Sequence, residues 1–384
     1  MSGTDFISNA YTSCRVSFVV TSRNDDHGGD MLRRLSLFVE SLLQLADRHH
    51  LSGELIIVEW NPPPGPRLHE VVQLRTKSDT FIIRFICVPP EAHQRFRNAD
   101  VIPLFQYIAK NVGIRRARGE FIVATNPDLL FSDALVSFLA SGTLEDSALY
   151  RIDRHDVPAD VPNNVPLEEL LAWCSAHVLR VHRKHGTFAI DSYLSYSQRL
   201  RSVLKKSAIL RKAVRQFYKF LQAFRGVSGN SLPPPIHTNA SGDFTMFARH
   251  HWHALRGYPE LPIWSMHLDS LLCYMAIAAG LREQVLRPPA GIFHLEHANS
   301  WVVMTSEERL RTFAMKPWID MHLLNEAWAH MYTTSRAICC NHENWGLGDI
   351  EFPEVVIQNG DQRMLQPSMS AIQKVVESGT RAVQ

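Results

Sequence analysis

The sequence predicts an α/β fold in which a mixed, mostly parallel sheet is flanked by helices, and three observations lead there. Four short runs rich in Val, Ile and Phe recur within the first 130 residues, each is continuously apolar, and leucines at helical spacing fill the gap between the first two. Continuous rather than alternating apolar character marks a strand buried on both faces, which requires helices on both sides of the sheet. Strands that alternate with helices close right-handed βαβ units.

The runs are Val16–Thr21 (VSFVVT), Glu54–Glu59 (ELIIVE), Phe81–Val88 (FIIRFICV) and Glu120–Ala124 (EFIVA). Between the first two, Met31–Arg48 sets Leu32, Leu35, Phe38, Val39, Leu42, Leu43 and Leu45 on one helical face, and a second helix is expected over Leu104–Arg116. From Arg180 to Arg225 basic residues far outnumber acidic ones and interleave with Leu200, Val203, Leu204, Phe217 and Phe220, as in a basic amphipathic helical insert. Such a segment reads as a solvated helical face, or as a surface for anionic lipid headgroups or an anionic acceptor. The loop Gly226–Pro235 (GVSGNSLPPP) closes the insert. Beyond it a strand is expected at Phe244–Ala248, a helix at Leu268–Ala279 and a short strand at Gly291–Leu295. Thr305 and Glu308 form a capping box for a helix running to about Met315, and the tail beyond Pro353 is expected to be weakly ordered.

Composition excludes several classes. With 384 residues, 45% hydrophobic and 20% charged, the chain can build one large core or two modest ones. Lys plus Arg exceed Asp plus Glu by only 40 to 38, so no nucleic-acid partner is expected. The first residues lack a charged region followed by an apolar one, and no run approaches the roughly 18 apolar residues of a membrane span. A cytoplasmic protein is therefore expected, with peripheral contact at the inner membrane face through residues 199–225 as its one membrane option. Six cysteines without CxxC spacing suggest neither a zinc knuckle nor a disulfide framework. No GxGxxG follows the first strand, and Gly28-Gly29 comes too late to serve, which disfavours a dehydrogenase.

In open sheets of this kind ligands sit at the carboxyl ends of the strands. The residues there are Ser22-Arg23-Asn24-Asp25, Glu59-Trp60-Asn61 and Thr125-Asn126-Pro127-Asp128. The opening VSFVVTSRND and the stretch Asn111–Asp128 (NVGIRRARGEFIVATNPD) resemble the family-A glycosyltransferases, with their Rossmann-like nucleotide-binding half, and in particular the large family-2 type group. That resemblance implies a nucleoside-diphosphate sugar as donor and Mn²⁺ or Mg²⁺ as cofactor. It makes Thr21, Ser22, Arg23, Glu59, Asn111, Arg115 and Asn126 candidate nucleotide contacts and Asp128 a metal ligand. An Asp-x-Asp motif suits the chemistry because a hard divalent ion needs oxygen ligands and must neutralise two phosphates as the nucleotide leaves. Here Asn126 replaces the first carboxylate, leaving Asp128 alone.

The stretch Asn239–Asp269 resembles the acceptor half of galactosyltransferase-like members: Gly242-Asp243 leads a strand, Arg256-Gly257-Tyr258-Pro259 makes a turn, and Asp269 opens a helix where an acidic cluster is usual. Asp269 is thus the candidate general base, with Asp243 in reserve. Gly242, Trp264 and Trp345 are candidate acceptor contacts, since an exposed Trp stacks on a sugar ring. In the same group a histidine after the acidic cluster completes the metal shell, which points to His294 or His297. On a strand His294 and Glu296 share a face and His297 does not, so the three are not expected around one ion. The helical HExxH order of a zinc hydrolase is missing.

The expected organisation is a nucleotide-sugar-binding half (1–140), a connecting segment (141–179), the basic insert and its loop (180–235), an acceptor and catalytic half (236–352) and the tail (353–384). The expected activity is metal-assisted transfer of a sugar, a hexose by expectation, to a hydroxyl of a glycan or lipid-linked surface-polymer precursor, as in polysaccharide biosynthesis. The rival from another class is a non-catalytic nucleotide- or glycan-binding module, and Asn126 is the feature that favours it.

Overall fold

The computed structural model describes residues 14–190, 233–297 and 305–365. Its centre is the expected alternation: β1 (Val16–Ser22), α1 (Met31–Arg48), β2 (Gly53–Trp60), β3 (Phe81–Val88), α2 (Gln106–Arg116) and β4 (Phe121–Thr125). β2 and β4 flank β1 in parallel register, and β3 continues the sheet beyond β2. Every residue of β1 and β2 is buried. Successive side chains of a strand point to opposite faces, so each strand feeds two cores. Phe18, Val20, Leu55 and Ile57 pack with Leu35, Phe38 and Leu42 of α1, whereas Val19, Ile56 and Val58 pack with Ile108 and Val112 of α2. A sheet covered on both faces is what the continuous apolar runs require.

The chain goes on through β5 (Leu129–Phe131), α3 (Asp133–Ala140), β6 (Ala148–Ile152), β7 (Arg154–Val157), α4 (Leu167–Ala176), β8 (Arg180–Arg183) and β9 (Gly186–Ala189). After the undescribed stretch come β10 (Phe244–Ala248), α5 (Arg249–Leu255), α6 (Leu268–Ala278), β11 (Arg282–Leu286) and β12 (Ile292–Leu295). The last described elements are α7 (Ser306–Met315), α8 (Met321–Thr334), β13 (Glu354–Gln358) and β14 (Asp361–Leu365). Among the described residues these strands form a nine-stranded sheet of order β11-β6-β10-β4-β1-β2-β3-β13-β14 and a five-stranded sheet of order β5-β12-β7-β8-β9. β10 is antiparallel to both β4 and β6, and β13 to both β3 and β14, so the larger sheet is mixed: seven of its nine strands run one way, but only four of its eight pairings are parallel.

Three parts differ from expectation. Glu354–Gln358 and Asp361–Leu365, assigned to a weakly ordered tail, pair with each other and extend the sheet past β3. Arg180–Arg183 and Gly186–Ala189, expected to open a helical insert, form a hairpin of the smaller sheet, while residues 199–225 lie outside the described residues. The connecting segment holds β6 and β7, whose alternation of apolar and charged residues hides a buried polar face. The capping box at Thr305 and Glu308 is present. Among the described residues no helix is long and apolar enough to cross a membrane.

The Asn-x-Gly segment owes its glycine to packing. A Cβ on Gly113 would lie 2.6 Å from Val19 Cγ1 and 3.1 Å from Val58 Cγ2, so α2 rests on β1 and β2 at a distance only glycine allows. Replacing a helical glycine by alanine ordinarily gains up to about 1 kcal/mol, but overpacking costs about 1–3 kcal/mol. Gly113→Ala is therefore expected to destabilise the protein, read as a lower urea midpoint at unchanged slope. A midpoint at or above that of the parent protein would show that α2 shifts freely on the sheet.

Candidate functional site

Residues 126–128 cross from β4 in the larger sheet to β5 in the smaller one, and this crossing sits at the carboxyl edge of the parallel strands. β5 pairs with β12, setting Leu129 opposite His294, and Leu295 N–H donates to the Asp128 carbonyl at 3.0 Å. Asp128 Oδ2 then lies 3.7 Å from His294 Nε2 and 3.4 Å from His297 Nε2. Both histidines reach the carboxylate because β12 ends at Leu295, so that His297 is not bound to the strand's alternation, while Glu296 pairs with Arg180 instead. Glu296 is thus outside the cluster, as expected, but His294 and His297 share it.

His294 is buried and Asp128 and His297 partly so, and their charges act strongly on one another. Burial works against ionisation of Asp128, yet His294 and His297 outweigh it and hold the carboxyl well below its ordinary value. Burial and Arg154 disfavour a charged His294, but Asp128 and Asp156 raise it to about 9. Asp128 Oδ1 and His297 Nδ1 are buried atoms without a hydrogen-bond partner, while His294 Nδ1 faces Asp156 Oδ1. An unpaired buried carboxylate oxygen is costly, and a cation on the Asp128 carboxylate would remove that cost. Two ligand atoms each 2.0–2.2 Å from one tetrahedral ion lie roughly 3.4 Å apart, close to the separations around Asp128 Oδ2. The donor set fits a divalent cation.

A second layer of charge supports the first. Asp156 on β7 is fully buried; its Oδ2 pairs with His182 Nε2 at 2.8 Å, and its Oδ1 lies 2.8 Å from Arg154 Nε and 3.3 Å from His294 Nδ1. Burial opposes its ionisation, but His182, His294 and Arg154 drive its pKa down. Such outer partners fix the ring orientation of a metal-binding histidine. Arg154 also donates to Asp243 Oδ2 at 2.7 Å. Asp243 Oδ1 accepts from Asn126 Nδ2 at 2.6 Å. Asn126 Oδ1 accepts from Lys110 Nζ at 2.8 Å and Gln106 Nε2 at 3.1 Å, so both of its lone pairs are engaged and none remains for a ligand or ion. Lys110, entirely buried, also donates to the Gly242 carbonyl at 2.7 Å. The Gly242 N–H in turn donates to Asp269 Oδ2 at 2.7 Å, and the other Asp269 oxygen accepts from Ser270 N–H. Asp269 is partly exposed at the start of α6, whereas the Asp243 carboxylate is buried and held on both oxygens.

The remaining predicted residues divide. Arg23 stands at the β1 exit, donating to the Asn61 carbonyl and pairing with Asp25. Thr21 and Ser22 are buried, their hydroxyls bonded to the Val58 carbonyl and Met31 Sδ. Glu59 is 1% exposed and accepts from Leu68 N–H, which leaves it no face toward a nucleotide. Asn111 is fully enclosed, donating to the Tyr258 carbonyl and Glu260 and accepting from Tyr258 N–H, so it ties α2 to the Gly257-Tyr258 turn. Arg115 lies in the last turn of α2, away from the strand exits, where it bonds the carbonyls of Glu343 and Trp345. Trp345 is itself buried against Arg115 and is no open platform for a sugar. Trp264 is half-buried on the loop before α6, and Gly242 is a buried backbone contact.

Sequence reasoning missed Lys110, Arg154, Asp156 and His182. The signal for two of them was the run Arg154-His155-Asp156, charged residues alternating on a strand with no exposed face to justify them. A cavity of about 680 Å³ lies at the opposite, amino-terminal edge, lined by Arg15, Glu120, Asp146, Arg249 and His250. Asp146 and His250 there are largely exposed, and ligands of open α/β sheets favour the other edge.

No family model matches the chain, and no curated protein matches it. A solved structure, that of GalNAc-T7 with UDP, GalNAc and Mn²⁺, is similar with a TM-score of 0.40 and 10% identity, over 86% of this chain and 53% of that one. This chain spans about half the length of the one it matches.

Burial lowers the Lys110 ammonium from 10.5 to about 8, against the pull of Asp243, Asp269 and Asp128. Between those values the unfolded chain keeps a proton that the folded one has lost, so this group's contribution to stability rises with pH across the window. Urea midpoints of the parent protein and Lys110→Gln, measured from pH 7 to 10.5, should diverge in the parent's favour above pH 8. A constant difference would show that Lys110 titrates as an ordinary lysine.

Proposed function

We propose that the protein is a metal-assisted glycosyltransferase of the family-A type, moving a sugar from a nucleoside diphosphate to a hydroxyl of a glycan or lipid-linked acceptor. The observation that carries this proposal is the Asp128–His294–His297 cluster, with Asp128 Oδ1 buried and unpaired, at the carboxyl edge of the parallel strands. Asp128, His294 and His297 would hold the cation; two imidazoles beside one carboxylate favour Mn²⁺ over Mg²⁺. Bound there, the ion supplies compensation for the negative charge of the departing diphosphate. Arg23 at the β1 exit is left as the nucleotide contact, since Glu59 and Asn111 are enclosed. Asp269 takes the acceptor proton: its carboxylate is partly exposed and oriented by the Gly242 N–H, while that of Asp243 is consumed by Arg154 and Asn126. Trp264 would line the acceptor side.

The engaged state of Asn126 favours a second reading, a nucleotide-binding module without transfer, because the position of the first carboxylate is spent on internal bonds. Titrating the protein with UDP and GDP, with and without Mn²⁺, and following slow hydrolysis of nucleotide sugars separates the two. Asp128→Ala should lose the metal response of nucleotide binding, since both the ion's anchor and its charge balance are removed. Unchanged metal dependence in that variant would place the ion elsewhere.

Asp269→Asn should bind nucleotide normally yet transfer sugar about 10²–10⁴-fold more slowly, the range contributed by a general base. The amide keeps the helix-start geometry but cannot take the proton. Near-normal turnover in Asp269→Asn alongside a large loss in Asp243→Asn would move the base to Asp243.

A further inference from the structure

Beneath the loop joining β1 to α1 lies a cation that the proposed chemistry has not used. Arg34, in the first turn of α1, is 6% exposed. Its guanidinium donates to the carbonyls of Gly29 and His27, and its Nε is buried without any acceptor. Among the described residues no carboxylate comes within ion-pair distance of it, although Asp128, Asp26 and Asp30 are near enough to favour its charge against the cost of burial. A guanidinium offers five donors, and a buried one is normally paired with an anion.

The loop above it is unusual in its backbone. Asp26 (φ 53°), Gly28 (73°), Gly29 (76°) and Asp30 (51°) all adopt left-handed conformations, which cost energy at the two aspartates. The loop also lies directly on the candidate metal cluster: a Cβ on Gly28 would fall 2.5 Å from His297 Nδ1, and the His27 ring meets that of His297 edge-on at 5.9 Å. Arg34 therefore holds down, through two carbonyls, a strained cover over Asp128 and His297. A diphosphate on an ion at Asp128 would offer it charged oxygens, and Arg–phosphate pairs are roughly twice as strong as neutral hydrogen bonds. We propose that Arg34 is a diphosphate-binding residue of this site, and that residues 26–30 form a cover which it releases when it exchanges the carbonyls of His27 and Gly29 for phosphate oxygens. The assignment rests on the cation and diphosphate site proposed at Asp128.

Inorganic pyrophosphate with Mn²⁺ isolates this contact from base and sugar, and calorimetry on the full chain reads it. The parent protein should bind Mn²⁺ and then pyrophosphate; Arg34→Gln should bind Mn²⁺ equally but pyrophosphate roughly ten- to a hundredfold more weakly, as for a lost charge-assisted pair. Deuterium uptake by the amides of residues 26–30 in the parent protein should rise when Mn²⁺ and pyrophosphate are added, a measurement that stands even if the variant fails to fold. Failure of the parent protein to bind Mn²⁺ or its pyrophosphate complex would sink the proposed function itself. Normal binding by the parent together with equal pyrophosphate affinity in Arg34→Gln, or with unchanged or reduced uptake in the loop, would overturn the Arg34 assignment alone.

Discussion

A single buried ammonium organises the carboxyl edge of this sheet. Lys110 is surrounded by Asp128, Asp243 and Asp269, and its Nζ bonds the Asn126 side chain at the exit of β4 and the Gly242 backbone at the entrance of β10. Three carboxylates so close would repel one another in a medium of low dielectric constant. One interior cation makes their convergence tolerable, and its two bonds fix the segments that carry Asp128 and Asp243. Arg154 extends the arrangement outward, joining Asp243 to Asp156 and, through Asp156, to His294. The metal-type cluster and the candidate base are thus held in one continuous polar network inside two hydrophobic cores.

Much of the fold was legible because strand and helix leave periodic signatures. The spans of β3, α1 and β10 coincide with their predicted runs, and the continuous apolar strands announced a sheet covered on both faces. The site was legible only in part. Asp128 and the histidine pair stood out by position, but residue type alone could not tell that both imidazoles reach the same oxygen, since this depends on where β12 stops. Asn111 and Gly113 were noticed for a characteristic spacing, yet their partners are internal: Asn111 braces the Tyr258 turn, and Gly113 lets α2 settle on β1. Spacing shows which residues are constrained, while partners decide whether the constraint serves packing or chemistry.

The smaller sheet explains why residues far apart in sequence meet. β12 pairs with β5 on one side and β7 on the other, placing His294 opposite Leu129 and beside Asp156. Strand register, set by backbone hydrogen bonds, therefore fixes the imidazole relative to both acids. The connecting segment supplies β7, which bears Arg154 and Asp156, and the start of the expected basic insert supplies β8, which bears His182. Loss of a charged residue there would be felt as misplacement of His294 before it was felt as loss of a contact to any ligand.

The antiparallel strand β10 begins where an excursion ends. The chain leaves the smaller sheet after β9 and returns at residues 233–243, and Asn239 Nδ2 bonds back to the Arg183 carbonyl and Thr187 Oγ1 of the departing hairpin. Departure and return are thereby stitched together on a rigid frame. Because the two ends meet through Asn239, the placement of β10, and with it of Asp243, follows the hairpin to which the chain returns.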